Sequence, residues 1–218
     1  FCDRKAESEM LIRQITNGNN TALISTRRMG KTGLIRHCFQ SKEIQKTYYT
    51  FFIDIYATKS LREFVFALSK EIIESLKSSG KKTIQTFWET MKSLQASLTF
   101  DFNGNPSFNL GLGDIQSPDA TLDEISGMPE VSIDIATDKE ETTLKEIFNY
   151  LQSSEKRCYI AIDEFQQITN YAEDNVEAIL RTYVQHCNNA HFIFAGSQRH
   201  IMGNIFLTAS RPFYQSVS

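Results

Sequence analysis

Proline is scarce in this sequence, and its cysteines stand apart from one another. With only 4 Pro and 10 Gly among 218 residues, neither a disordered tract nor a fibrous repeat is indicated. The 4 cysteines, Cys2, Cys38, Cys158 and Cys187, form no Cys-x-x-Cys pair, and two of them fall inside apolar stretches. They read as reduced thiols of a cytoplasmic protein, packing as small hydrophobes. No run of five Lys or Arg occurs and the formal net charge is −3, which makes this surface a poor match for a nucleic-acid backbone or an anionic membrane. Contact with DNA is therefore expected only through domains outside this chain. No stretch approaches the roughly 18 apolar residues of a membrane span. The opening Phe1-Cys2-Asp3-Arg4 lacks the basic and apolar regions of a signal peptide. Because the chain opens without Met and ends on Arg211-Pro-Phe-Tyr-Gln-Ser-Val-Ser with no closing helix, further sequence is expected on either side.

What is present is an alternation of strands and helices. Four continuous apolar runs, Thr21 to Ser25, Tyr48 to Ile55, Cys158 to Asp163 and His191 to Gly196, have strand length and the unbroken hydrophobicity of strands covered on both faces. Helical spacing follows at Leu61, Phe64, Leu68, Ile72 and Leu76, behind a capping box of Ser60 and Glu63. Thr143 with Glu146 repeats that box before Ile147, Phe148 and Leu151. Val176, Ile179, Leu180, Tyr183, Val184 and Cys187 mark another helix. This order predicts an α/β fold, a parallel sheet flanked by helices with right-handed crossovers. Residues 97–135 depart from it. Leu98, Phe100 and Phe102 alternate up to Asn103-Gly104, and Phe108, Leu110 and Leu112 alternate beyond it. The pattern predicts a small antiparallel β-hairpin insert, with Val131, Ile133 and Ile135 as a third strand. One of its faces needs a cover, supplied by the core, by Val131 to Ile135 as an added strand, or by another molecule through self-association or a partner protein.

Chemistry concentrates in three places. Ser25-Thr26-Arg27-Arg28-Met29-Gly30-Lys31-Thr32 follows an apolar strand and precedes a helix with Leu34, Ile35, Cys38 and Phe39 on its apolar positions. Apart from Ser25 at its first glycine, it matches the phosphate loop G-x-x-x-x-G-K-[ST]. Such a loop turns its amides inward toward phosphate oxygens, and the following helix adds its positive end. Gly30 allows close backbone approach and, with Gly33, completes the binding segment. Lys31, read as a surface-loop residue, reaches the β- and γ-phosphates, and the Thr32 hydroxyl ligates Mg2+.

The second place is Tyr159-Ile-Ala-Ile-Asp163-Glu164, an apolar strand delivering two carboxylates at its end. Asp163 is assigned to the metal and Glu164 to polarising the attacking water. The third is Phe192-Ile-Phe-Ala-Gly-Ser197-Gln198, whose Ser197 or Gln198 would reach the γ-phosphate or the water if its strand lies beside the phosphate-loop strand. Arg28 and Arg211 are candidates for stabilising charge in the transition state. His37, His186, His191 and His200 have no metal-ligand spacing and receive no role.

Taken with Phe1-Cys-Asp-Arg4-Lys-Ala-Glu7 and Ala161-Ile-Asp-Glu-Phe-Gln-Gln167, these motifs resemble the archaeal-type ATPase family, which belongs to the AAA+/STAND group of P-loop ATPases. The resemblance spans nearly the whole chain. It implies that the strand ending at Ser197 lies between the phosphate-loop strand and the Asp163 strand. It places Arg4 near the adenine of ATP or ADP, and implies that a helical lid and a winged-helix domain follow this core. Ser25 in place of glycine, and the 97–135 insert, depart from the family pattern. The function expected is an Mg2+-dependent ATPase acting as a regulatory switch, the alternative being a nucleotide-dependent binding module with negligible turnover.

Overall fold

The computed structural model describes residues 4–77, 81–91, 96–100, 106–110, 131–133 and 139–217. Two compact units are formed, one from Phe1–Phe64 with Leu151–Ser218, the other from Val65–Tyr150.

The first unit is built on a four-stranded sheet of β1 (Thr21–Ile24), β2 (Tyr48–Asp54), β6 (Arg157–Asp163) and β7 (Ala190–Gly196), in the order β1-β7-β6-β2. Each adjacent pair is parallel. The inner strand β6 is buried at every residue after Arg157, as a continuous apolar run requires. Helices α1 (Lys5–Thr16), α2 (Lys31–Phe39), α3 (Lys42–Thr47), α7 (Val176–His186) and α8 (Arg199–Leu207) accompany the sheet. Leu11 and Ile15 of α1 and Leu34, Ile35 and Cys38 of α2 pack with Tyr159, Ala161, Ile193 and Ala195 in one hydrophobic cluster. A second cluster is aromatic. Phe165 lies with ring centroids 4.5 Å from Phe194, 5.9 Å from Phe206 and 5.3 Å from Phe213, and all four rings are buried. Phe165 opens a 3-10 helix, Phe165–Asn170, directly after the two carboxylates, so this cluster anchors the backbone on which they sit.

Helices α4 (Leu61–Lys77) and α6 (Glu140–Ser153) run across the boundary between the units, and α5 (Lys81–Thr90) lies within the second. The Ser60 hydroxyl accepts from the Glu63 amide at 3.2 Å, while the Glu63 carboxylate accepts from the Lys59 amide at 2.7 Å. The cap expected at Thr143 is corrected. The helix starts a turn earlier, at Glu140, and buried Thr143 donates its hydroxyl to the Lys139 carbonyl at 3.0 Å. Thr143 thus satisfies itself inside the helix, and the acidic pair Glu140 and Glu141 occupies the first turn where the helix dipole favours it. Within the second unit Phe87 meets Tyr150 edge to face, with centroids 5.0 Å apart.

The sheet that carries the site is parallel throughout and contains no antiparallel hairpin. A separate three-stranded sheet holds β3 (Ala96–Phe100), β4 (Pro106–Leu110) and β5 (Val131–Ile133). In it β3 pairs antiparallel with β4, Leu98 opposite Phe108, whereas β5 pairs parallel with β4. The expected wholly antiparallel insert is therefore replaced by a mixed sheet, because β5 re-enters in the direction of β4. Asn103-Gly104, Phe102, Leu112 and Ile135 lie outside the described residues. Among the described residues no helix is long and apolar enough to cross a membrane.

Candidate functional site

Strand order decides what meets at the site. Because β7 separates β1 from β6, the loop after β1, the carboxylates after β6 and Ser197 after β7 converge at the carboxyl ends of three neighbouring strands. Ligands of open parallel sheets gather at that edge.

The loop between β1 and α2 bends back on itself at Arg28 (φ 63°) and Gly30 (φ 70°), both left-handed. Gly30 is the N-cap of α2, so a left-handed turn feeds the helix. A Cβ at Gly30 would also stand 3.3 Å from Arg4 Nη1, and Arg4 donates from that nitrogen to the Met29 carbonyl at 2.5 Å. Arg4 is itself held by Glu7, whose carboxylate accepts from Arg4 Nε at 2.5 Å and Nη2 at 2.9 Å. That hydrogen bonding raises the Arg4 pKa and lowers that of Glu7. Arg4 therefore braces the back of the loop, while Phe1, Cys2 and Asp3 lie outside the described residues.

Lys31 differs from expectation. It is the first residue of α2 and is buried, with Nζ donating to the carbonyls of Ser25 at 3.0 Å and Thr26 at 3.4 Å. The loop wraps the ammonium instead of presenting it on the surface, since a buried ammonium must be matched by acceptors. Ser25 Oγ is buried with no hydrogen-bond partner, so the residue standing at the glycine position contributes its carbonyl and not its hydroxyl.

Across the site, Thr32 Oγ1 donates to Asp163 Oδ2 at 2.5 Å, a bond between residues 131 apart in the chain. Asp163 is 4% exposed and its other oxygen, Oδ1, accepts from the Glu164 amide at 3.0 Å. Glu164 adopts φ 56°, ψ 40°, a left-handed conformation that costs a non-glycine residue roughly 1–2 kcal/mol. Such strain persists where surrounding contacts fix it. Here Glu164 Oε2 accepts from Ser197 Oγ at 2.7 Å and from Gln166 Nε2 at 2.5 Å. Ser197 is thus brought to Glu164, its hydroxyl donating to that carboxylate.

A pocket of about 490 Å³ opens here, lined by Arg27, Arg28, Gly30, Lys31, Thr32, Asp54, Tyr56 and Glu164. Gly33 lies one residue further along α2, and Met29 is exposed at the loop tip. Arg211 is not brought to the pocket. Its guanidinium pairs with Glu177, in a different cavity. Asp54 and Tyr56 escaped the motif reading. Asp54 pairs in register with Asp163 at the end of β2 and accepts from the Tyr56 amide at 2.9 Å, and Arg27 lies 5.8 Å over the Tyr56 ring. The signal was available, because Tyr48-Tyr-Thr-Phe-Phe-Ile-Asp54 is an apolar strand ending in a carboxylate just as Asp163 ends its own. Gln166 also went unassigned.

The described cysteines, Cys38, Cys158 and Cys187, are free and buried. Burial pushes the Cys38 thiol up to about 11 and Cys158 up to about 12, so both stay protonated and inert. No group of three or more His, Cys, Asp or Glu suited to a metal occurs among the described residues. Mg2+ needs no such cluster, since it keeps several waters and takes one or two protein oxygens plus phosphate. The Thr32 hydroxyl and Asp163 carboxylate are hard oxygen donors already in contact, and they fit that ion.

Gly196 completes the site from below. A Cβ there would stand 2.5 Å from Gln166 Oε1 and 2.5 Å from Met202 Sδ, both in buried side chains. Gly196→Ala is expected to lower stability by roughly 1–3 kcal/mol, the usual cost of overpacking, measured as the shift of the urea midpoint.

No family model matches the chain, and no curated protein matches it. Solved structures do. The Walker-type ATPase PABY2304 of Pyrococcus abyssi aligns at TM-score 0.56 and 18% identity, over 99% of this chain and 51% of that one. The ORC2 protein of Aeropyrum pernix, in ADPNP-ADP complexes, aligns at 0.50 and 13%, over 92% of this chain and 42% of that one. Cdc6p of Pyrobaculum aerophilum aligns at 0.50 and 13%, over 99% and 44%. At these identities the likeness concerns the fold, which is that of P-loop ATPases. The chain spans about half the length of these structures, or less.

Proposed function

We propose, from this fold and the pocket at its strand ends, that the chain binds ATP with Mg2+ and hydrolyses it, serving as a nucleotide-driven switch. The observation that carries the reading is the 2.5 Å hydrogen bond from Thr32 Oγ1 to Asp163 Oδ2. It joins the loop suited to phosphates to the strand end suited to a metal, and no demand of core packing calls for it. The Aeropyrum pernix ORC2 protein is known in ADPNP-ADP complexes and in an ADP form, which supports an adenine nucleotide here.

Each residue then has a physical task. The amides around Gly30 and the positive end of α2 face the phosphates. Lys31, poised on the Ser25 and Thr26 carbonyls, exchanges those acceptors for phosphate oxygens of higher charge. Thr32 and Asp163 would hold Mg2+, which when bound offsets charge on the β- and γ-phosphates. Glu164 orients the attacking water and accepts its proton, leaving ADP and inorganic phosphate. Arg28, lining the same pocket, is a candidate for steadying the γ-phosphate charge. Arg4 braces the loop from the side expected to lie near the adenine.

Asp163→Asn tests the metal assignment. ATP affinity in Mg2+ is expected to fall roughly tenfold, toward the value in EDTA, because one charge-assisted metal ligand is lost. Isothermal titration with and without Mg2+ measures it; an undiminished Mg2+ effect in the mutant would remove Asp163 from the metal shell.

A further inference from the structure

Gln166 is buried to 2% exposure and does not line the pocket described above. A buried amide is normally satisfied at both ends. Here Nε2 donates to Glu164 Oε2 at 2.5 Å while Oε1 is buried and has no hydrogen-bond partner. The amide cannot profit from turning over, because a carboxylate only accepts and would then face a carbonyl oxygen. An apolar side chain of similar length would fill the same space without leaving a carbonyl unmatched, so packing alone gives no reason for an amide at this position.

Three features hold that amide where it is. Gly196, by lacking a Cβ, leaves room for both Gln166 Oε1 and the wholly buried Met202, each of which a Cβ there would meet at 2.5 Å. The backbone turns sharply between Asp163 and Phe165, with Glu164 left-handed, which directs a residue two positions later back onto the Glu164 side chain. Ser197 Oγ reaches the same oxygen at 2.7 Å. Two donors therefore share Oε2, and the other carboxylate oxygen, Oε1, lies outside this pair of hydrogen bonds.

We infer that Gln166 is a positioning residue for Glu164, fixing which carboxylate oxygen faces the pocket, with Gly196 holding Gln166 in place. The inference rests on the proposed hydrolysis for its kinetic consequence, and its geometric part stands without turnover.

The test uses Gln166→Met, which keeps length and volume but donates nothing. In the intact protein kcat is expected to fall about 10- to 100-fold, the scale of misplacing a catalytic group by about 1 Å, while ATP affinity stays within about twofold. Adding Gln166→Met to Glu164→Gln should cost nothing more, since the residue acts through Glu164. Gly196→Ala should lower kcat in the same direction. A wild-type kcat in Gln166→Met, or a full additional loss in the double mutant, would overturn the inference. If the parent protein shows no turnover, hydrolysis fails separately, and a denaturation cycle of Gln166→Met with Glu164→Ala still decides: coupled midpoints support the contact and additive midpoints overturn it.

Discussion

Lys31→Ala is expected to weaken ATP binding by roughly 100-fold or more, about 3 kcal/mol, because the phosphates lose the ammonium that answers their charge. The wild-type side chain is buried and hydrogen-bonded to Ser25 and Thr26, so its removal also leaves two loop carbonyls without their donor. A loss of stability of about 1–2 kcal/mol is expected beside the loss of affinity. Lys31→Met separates the two effects, since it keeps the stem that packs under the loop. Binding should fail equally in Lys31→Met, while the urea midpoint moves less. Parental affinity in either mutant would contradict the assignment of this loop to phosphate.

Glu164→Gln is expected to lower kcat by about 100- to 10,000-fold, the range of a lost general base, with ATP affinity nearly unchanged. The substitution fits the geometry. The glutamine carbonyl oxygen can accept from Ser197 Oγ and Gln166 Nε2 as the carboxylate Oε2 does, and the amide nitrogen then faces the pocket, where it cannot take a proton. Single-turnover kinetics on preloaded ATP read this step directly. Equal rates in mutant and parent would show that another group handles the water, or that the chain binds without hydrolysis through Glu164.

Both residues were legible in the sequence because each sits where a one-dimensional pattern changes. Lys31 follows a glycine between an apolar strand and an amphipathic helix, and Asp163 and Glu164 follow an apolar run. The parallel sheet was legible for the same reason, since β6 and β7 carry unbroken apolar stretches that need covers on both faces. What the pattern could not show is how an element is entered. Thr143 satisfied the capping-box spacing, yet the helix began at Glu140 because the preceding acidic pair suits a first turn. Strand direction in the small sheet was likewise beyond alternation, which is the same for parallel and antiparallel neighbours, and β5 pairs parallel with β4. The relation of Gln166 to Gly196 was illegible for a further reason. Their relation is a clash that glycine avoids between two strands' ends, and no spacing along the chain encodes it. Arg211 was a candidate for stabilising transition-state charge, but its pairing with Glu177 exists only in the fold.

The pairing of Glu177 with Arg211 also bears on how the end of the chain is held. Burial raises the Glu177 pKa while Arg211 works against that rise, and Phe213, two residues on, packs against Phe165 beside Glu164. The segment after α8 is therefore fastened to the same 3-10 helix that follows the carboxylates. Phe165 thereby links that segment to the backbone beside Glu164, a route through which the proposed nucleotide-driven switch would act.

The most direct test of hydrolysis at this site is steady-state release of inorganic phosphate from ATP by the parent protein, in Mg2+ and in EDTA. Hydrolysis at this site requires release that continues through many turnovers per chain in Mg2+ and stops in EDTA. Release that ends at or below one phosphate per chain, or that proceeds equally in EDTA, would contradict it.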